Sequence, residues 1–187
     1  RPSNQGSLDV VPANIRIVRE IDRSDASSVF EIELEGQKYA MKLVNSLSYL
    51  LLLVTNDLVS RQRGSRICRE WPRPKSIPLR TKRLYESLEH GVYERGFVLY
   101  FYGYIDRIDP TAFYPAFQHF AHDKYHPRAI LLEYLPNAQS LNCENYSEAC
   151  YHKAIEGIKQ IHAAHVHYQD IYPKNILVVL GGQKRIV

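Results

Sequence analysis

The sequence predicts an α+β fold: an antiparallel, β-rich first lobe, then a hinge and the opening part of a helical lobe. Three observations lead there. Apolar residues alternate in short runs between residues 14 and 44. Tight turns separate those runs, Glu35-Gly36 being the clearest. Far downstream, Ser147 to Ala164 changes to a helical period.

The elements follow in order. Residues 1–13 are polar with two prolines and read as a loose leader. Ile15, Ile17 and Ile21 begin the first strand, and the polar stretch Asp22-Arg23-Ser24-Asp25-Ala26-Ser27 ends it. From Val29 to Leu34 the alternation puts Phe30, Ile32 and Leu34 on one face and Glu31 and Glu33 on the other. After Glu35-Gly36, Tyr39 to Val44 forms a third strand. Its period of two sets Ala40 and Lys42 on one face, Tyr39, Met41 and Leu43 on the other. The bland reading of Lys42 is a solvated strand lysine.

Residues 45–80 read as an insertion, with a basic stretch (Arg61, Arg63, Arg66, Arg69) and prolines 72, 74 and 78 that forbid a continuous helix. A helix after Pro78 carries Leu84, Tyr85 and Leu88 and stops at Gly91. Phe97 to Ile105 is an aromatic strand, 106–128 a long connection, and Ala129 to Tyr134 a short buried strand broken by Leu135-Pro136-Asn137. Asn145 or Ser147 caps the long helix, Glu148 lies in its first turn, and Tyr151, Ile155, Ile158 and Ile161 or His162 define its inner face. A polar loop, His165 to Asn175, leads to a strand from Ile176 to Leu180, a Gly181-Gly182 turn and the start of a last strand. The domains are therefore 1–13 as leader, 14–135 as the β-rich lobe with insertions at about 45–80 and 106–128, and 136–187 as hinge and partial helical lobe.

Composition narrows the functional classes. With 187 residues the chain suffices for one ordinary domain or two small lobes sharing a cleft. Lys+Arg exceeds Asp+Glu, 24 to 20, for a formal net charge of +4. That balance permits an anionic ligand, and without a dense basic block it gives no reason to expect nucleic acid. The three cysteines are too few and too scattered for a disulfide framework, so an intracellular location, cytoplasmic or nuclear, is expected. The apolar run Leu47 to Val54 falls far short of the ~20 residues that cross a bilayer, and no membrane partner is expected.

Smaller clusters are weighed against ordinary roles. His119, His122 and His126 have spacings that could put two imidazoles together, but no Cys or carboxylate set completes a tetrahedral site. Cys143, Cys150 and His152 could be read as ligands, but ordinary reduced thiols are the expectation. The aromatic run Phe97 to Tyr104 lacks interleaved basic residues and reads as strand, not as a base-stacking platform.

The polar loop His167-Tyr168-Gln169-Asp170-Ile171-Tyr172-Pro173-Lys174-Asn175 resembles the catalytic loop of the protein-kinase-like superfamily, in which an Asp is followed five positions later by an Asn. Tyr39-Ala40-Met41-Lys42 is similar to the lysine-bearing third strand of that family. Leu131-Leu132-Glu133-Tyr134-Leu135 is similar to its fifth strand entering the hinge, and Ile158-Lys159-Gln160-Ile161-His162 to the end of the helix before the catalytic loop. The wording Asp-Ile-Tyr-Pro-Lys-Asn-Ile-Leu-Val is close to kinase-like proteins of filamentous fungi. The likeness spans about 14–187, with its specificity concentrated in 158–180.

The resemblance implies ATP with Mg²⁺, and phosphoryl transfer to a hydroxyl on a protein or a small molecule. Lys42 would pair the α- and β-phosphates, with Val29 and Ala40 as an apolar ceiling for adenine and Glu133 and Leu135 at the hinge. Asp170 would orient the attacking hydroxyl and accept its proton, Asn175 would hold Mg²⁺, and Lys174 is a weaker candidate for the γ-phosphate. For the carboxylate that pairs with Lys42, Glu70 ranks first and Glu89 second.

Four departures count against activity. Asp22 to Ser28 has no glycine where backbone N–H groups should approach phosphates, although Ser24 and Ser27 fall near the glycine slots. The helix glutamate is hard to place. Gln169 stands where the family has Arg. The chain also stops at Val187, before the Asp-Phe-Gly or Asp-Phe-Asp element whose Asp binds Mg²⁺. The expectation is thus an incomplete or inactive kinase-like domain. A pseudokinase or interaction fragment, or a small-molecule kinase of the aminoglycoside or choline phosphotransferase type, remains open beside it.

Overall fold

A computed structural model of the chain describes residues 14–24, 27–44, 92, 95–164, 171–179 and 185–187. The leader, the basic stretch, the helix after Pro78, Glu70, Glu89 and the loop residues up to Asp170 lie outside the described residues. The protein is mixed α+β and divides into two compact units. The first comprises Arg1–Pro78 and Tyr102–Leu132, the second Leu79–Phe101 and Glu133–Val187.

A five-stranded sheet organises the first unit. Its strands are β1 (Arg16–Arg23), β2 (Ser27–Leu34), β3 (Gln37–Val44), β4 (Phe101–Ile105) and β5 (Arg128–Glu133), in spatial order β1-β2-β3-β5-β4. β1, β2 and β3 form the antiparallel meander that the alternation predicts. The β2–β3 turn is two residues long, Leu34 facing Gln37 across it. Both turn residues have positive φ, 53° at Glu35 and 74° at Gly36. That is the backbone a twisted two-residue hairpin demands, and glycine adopts it without a Cβ penalty.

Phe30, Ile32 and Leu34 are buried with Met41 and Leu43, as period two requires. The opposite face carries Glu31 and Glu33, as the alternation puts them, and Glu31 is buried there. The connection 106–128 also differs from a plain loop. It carries two short 3-10 turns, Pro110–Phe113 and Gln118–Phe120, and sends Ile108, Phe113, Phe117 and Phe120 into the core. Phe117 stacks 4.9 Å from Phe30 and 4.7 Å from Phe113. Each such ring removes apolar surface from water worth roughly 1.5–3 kcal/mol, so this excursion is part of the core.

The second unit holds helix α1 (Glu148–Ala163) and a three-stranded sheet of β6 (Ala138–Ser140), β7 (Leu177–Val179) and β8 (Arg185–Ile186). Ser147 caps α1, its hydroxyl accepting from the Cys150 N–H, and Glu148 complements the positive helix end. The inner face is shifted by one residue from Tyr151, Ile155 and Ile158, of which the two isoleucines are half-buried, while Ile161 packs inward as predicted. Cys150, Ala154 and Gly157 are buried, whereas Tyr151 is 49% exposed and His162 is exposed. Small residues win because neighbours come close. Cys150 and Ala154 pack with Val178 and Ile186, and the Phe97 ring fills the space over Gly157. The strand predicted from Phe97 begins only at Phe101, because Phe97 turns into a separate small cluster with Val92, beside Ile161.

Candidate functional site

In the first unit, β2 and β3 pair Val29 with Lys42, Glu31 with Ala40 and Glu33 with Lys38. These six side chains share the sheet face opposite Phe30 and Met41. One end is apolar apart from the lysine: Val29 half-buried, Ala40 at 8% exposure, Lys42 half-buried. The other end is ionic. Glu31 accepts from Arg19 Nε at 2.8 Å and from Lys38 Nζ at 2.7 Å, and Arg16 pairs with Glu33. The carboxylates of this face are thus neutralised by Arg16, Arg19 and Lys38. Among the described residues no carboxylate pairs with Lys42. A half-buried lysine beside two apolar side chains suits an anionic ligand with an apolar body, which is the chemistry of a nucleotide.

The β1–β2 connection is built differently from a glycine loop. Ser24 N–H donates to the Ser27 carbonyl at 2.8 Å, and Ser27 N–H donates to Ser24 Oγ at 3.1 Å. The two hydroxyls lie 3.1 Å apart. Ser24 and Ser27 occupy the expected glycine slots, yet their amides close the turn and are already committed. In this conformation they are not phosphate donors.

In the second unit, Pro173–Asn175 forms a 3-10 turn that leads into β7. The Asn175 N–H donates to the Tyr172 carbonyl at 2.8 Å, which fixes the half-buried asparagine at the turn's end. That bond sets the backbone at this corner, and an asparagine amide oxygen is a group that a hard cation like Mg²⁺ accepts as one ligand among several. Among the described residues no group of three or more His, Cys, Asp or Glu could hold a metal, so His119, His122 and His126 do not form the site their spacing raised. Lys174 is exposed, its ammonium 5.7 Å from the Tyr172 ring centroid, and its carbonyl accepts from Ser140 Oγ at 3.1 Å. Asp170 lies outside the described residues, as does Glu70.

Glu133 has a role that its sequence position did not suggest. Arg185 grips its carboxylate with two N–H groups, at 2.6 and 3.0 Å. The same guanidinium donates to the carbonyls of Gly96 (2.9 Å) and Val98 (3.1 Å). The Tyr100 N–H donates to the Glu133 carboxylate as well, at 3.2 Å. The Glu133 side chain is therefore consumed in a clamp with Arg185 and residues 96–100 of the same unit, and with its N–H donated to the Tyr100 carbonyl at 2.8 Å only its own carbonyl is left to serve a ligand. Leu135 is half-buried, and its carbonyl accepts weakly from Ala138 at 3.4 Å. No sequence signal marks Arg185, because its partners lie 52 and 89 residues away.

No model of a known protein family matches this chain, and neither does any curated protein. Among the described residues, no helix is long and apolar enough to cross a membrane.

Proposed function

We propose that the chain is a nucleotide-binding domain of the protein-kinase-like superfamily, built for ATP- and Mg²⁺-dependent phosphoryl transfer to a hydroxyl. One observation carries the reading: the half-buried Lys42 on β3, set across from Val29 and beside Ala40, with the acids of that face already neutralised by other cations. Lys42 on the third strand of a meander, Glu133 ending the fifth strand, and Asn175 between α1 and β7 also keep the order that the resemblance implies.

In this reading Val29 and Ala40 cover the adenine, and Lys42 neutralises the α- and β-phosphates. Such a transfer proceeds largely by positioning and charge neutralisation, which is what a fixed lysine supplies. Asp170 orients the attacking hydroxyl and takes its proton, and Asn175 ligates the Mg²⁺ that ATP brings. Lys174, exposed beside Tyr172, is free to swing towards a γ-phosphate. Hinge contacts come from the backbones of Glu133 and Leu135.

A second reading, a domain that binds nucleotide or a protein partner without chemistry, is favoured by the Ser24–Ser27 turn. Its committed amides weaken the grip on phosphates that transfer requires.

A thermal-shift titration with ATP, with and without Mg²⁺, tests the site. Wild type should be stabilised by Mg-ATP, by ~2.7 kcal/mol at a hundredfold excess over Kd. Lys42→Ala should fold normally and lose most of that shift, and Asn175→Ala should lose the Mg²⁺-dependent part. No shift in folded wild type, or an equal shift in Lys42→Ala, counts against the assignment.

A further inference from the structure

An arginine presents five N–H groups in a rigid planar fork. Arg185 commits Nε to the Gly96 carbonyl and Nη1 to Oε1 of Glu133. Its Nη2 donates both to Oε2 of Glu133 and to the Val98 carbonyl. Both sides of this fork are anchored. Arg185 is carried by β8, whose Ile186 is buried with Cys150 and Ala154 of α1 and Val178 of β7. Phe97, between the two accepting carbonyls, is buried over Gly157 of the same helix. Gly96 permits the approach, since a Cβ there would stand 3.1 Å from Nε. Glu133, at the end of β5, is therefore tied to a frame that α1 holds, and all these residues belong to the second unit.

We propose that Arg185 is a positioning residue for the nucleobase: by occupying the Glu133 carboxylate and fixing residues 96–98 beside it, it holds the Glu133 carbonyl as a fixed acceptor for an N–H of the base. The proposal rests on the nucleotide-binding reading and adds to it a residue that itself touches no ligand.

The polar groups of residue 133 divide cleanly. Its N–H donates to the Tyr100 carbonyl at 2.8 Å. Its carboxylate takes two N–H groups of Arg185 and the Tyr100 N–H. What remains is the carbonyl, and an acceptor answers a donor such as the amino group of a base. An acceptor already held in place costs a ligand less ordering than one on a loose strand end. Lysine is no substitute here: its three donors on a flexible stem cannot span two carbonyls and both carboxylate oxygens. The triphosphate lies outside this arrangement, because in the reading above its charge is met by Lys42. Loss of the clamp therefore weakens the grip on the base and leaves the grip on the phosphates.

Titration of the whole chain with Mg-ATP and, separately, with magnesium tripolyphosphate, which has the phosphates and no base, separates the two grips. Arg185→Ala should bind Mg-ATP about tenfold more weakly than wild type, and magnesium tripolyphosphate within about twofold of it. Arg185→Lys should behave like Arg185→Ala. Glu133→Gln keeps the shape of the side chain and loses the charge-paired fork. It should lose about threefold in ATP affinity, again sparing tripolyphosphate, and it answers the question if Arg185→Ala does not fold. Lys42→Ala should weaken both ligands. Unchanged ATP affinity in folded Arg185→Ala or Arg185→Lys, or equal losses for ATP and tripolyphosphate in them, overturns the proposal while the nucleotide reading stands. Equal affinity of wild type for the two ligands, which means no grip on the base, overturns it as well. If folded wild type binds neither ligand, the nucleotide reading fails and this proposal with it.

Discussion

At Glu31 a carboxylate sits 2% exposed between Arg19 and Lys38. The two cations are themselves largely exposed, so each keeps its hydration while the acid loses its own. Removing either cation leaves the other in place, and Arg19→Ala or Lys38→Ala should cost less than ~1 kcal/mol. Glu31→Gln leaves a buried amide facing two cations and should cost about 1–3 kcal/mol in urea denaturation. Equal losses in all three variants would refute this account of the face. Alternation alone gives the side of the strand on which Glu31 and Lys42 lie, because period two is local. It does not give burial, which depends on residues across the sheet. For the same reason the face on which Lys42 lies was legible, whereas the contacts of Ser28 and Arg185 were not: their partners are 91 and 89 residues away in sequence at the furthest.

Helix α1 shows how an element can be read correctly in extent and only in part in orientation. The Ser147 cap and the helical period bound it to within a residue or two. The buried stripe is the one with the smallest side chains, because α1 lies close to β7, β8 and Phe97. Gly157 is the clearest case. A Cβ there would stand 2.8 Å from Cδ1 and 3.2 Å from Cγ of the Phe97 ring, and that buried ring has little room to retreat. Alanine gains ~1 kcal/mol of helix propensity over glycine, and overpacking costs about 1–3 kcal/mol. Gly157→Ala should therefore lower stability, and Phe97→Leu in the same chain should relieve part of the loss. A stabilised single variant would refute the close approach. The 106–127 excursion was obscured in another way. Phe113, Phe117 and Phe120 have helical spacing, which signals a buried face, but Pro110 and Pro115 break the run into two short turns.

On the scale of the whole molecule, the α+β class and the order of elements could be read from alternation, turns and one helical stretch. The clamp of Arg185 on Glu133 and the core contributed by the excursion could not, since both are long-range solutions to burial and charge. Each unit carries one half of the proposed chemistry: Lys42, Val29 and Ala40 in the first, and the loop of Lys174 and Asn175 in the second. Calorimetric titration of the whole chain with Mg-ATP, in wild type and in Lys42→Met, tests the central claim most directly. The account predicts one saturable site per chain, weakened at least about tenfold by the substitution, or ~1.4 kcal/mol, with an unchanged melting temperature. The absence of saturable binding to folded wild type, or the same affinity in both proteins, would contradict it.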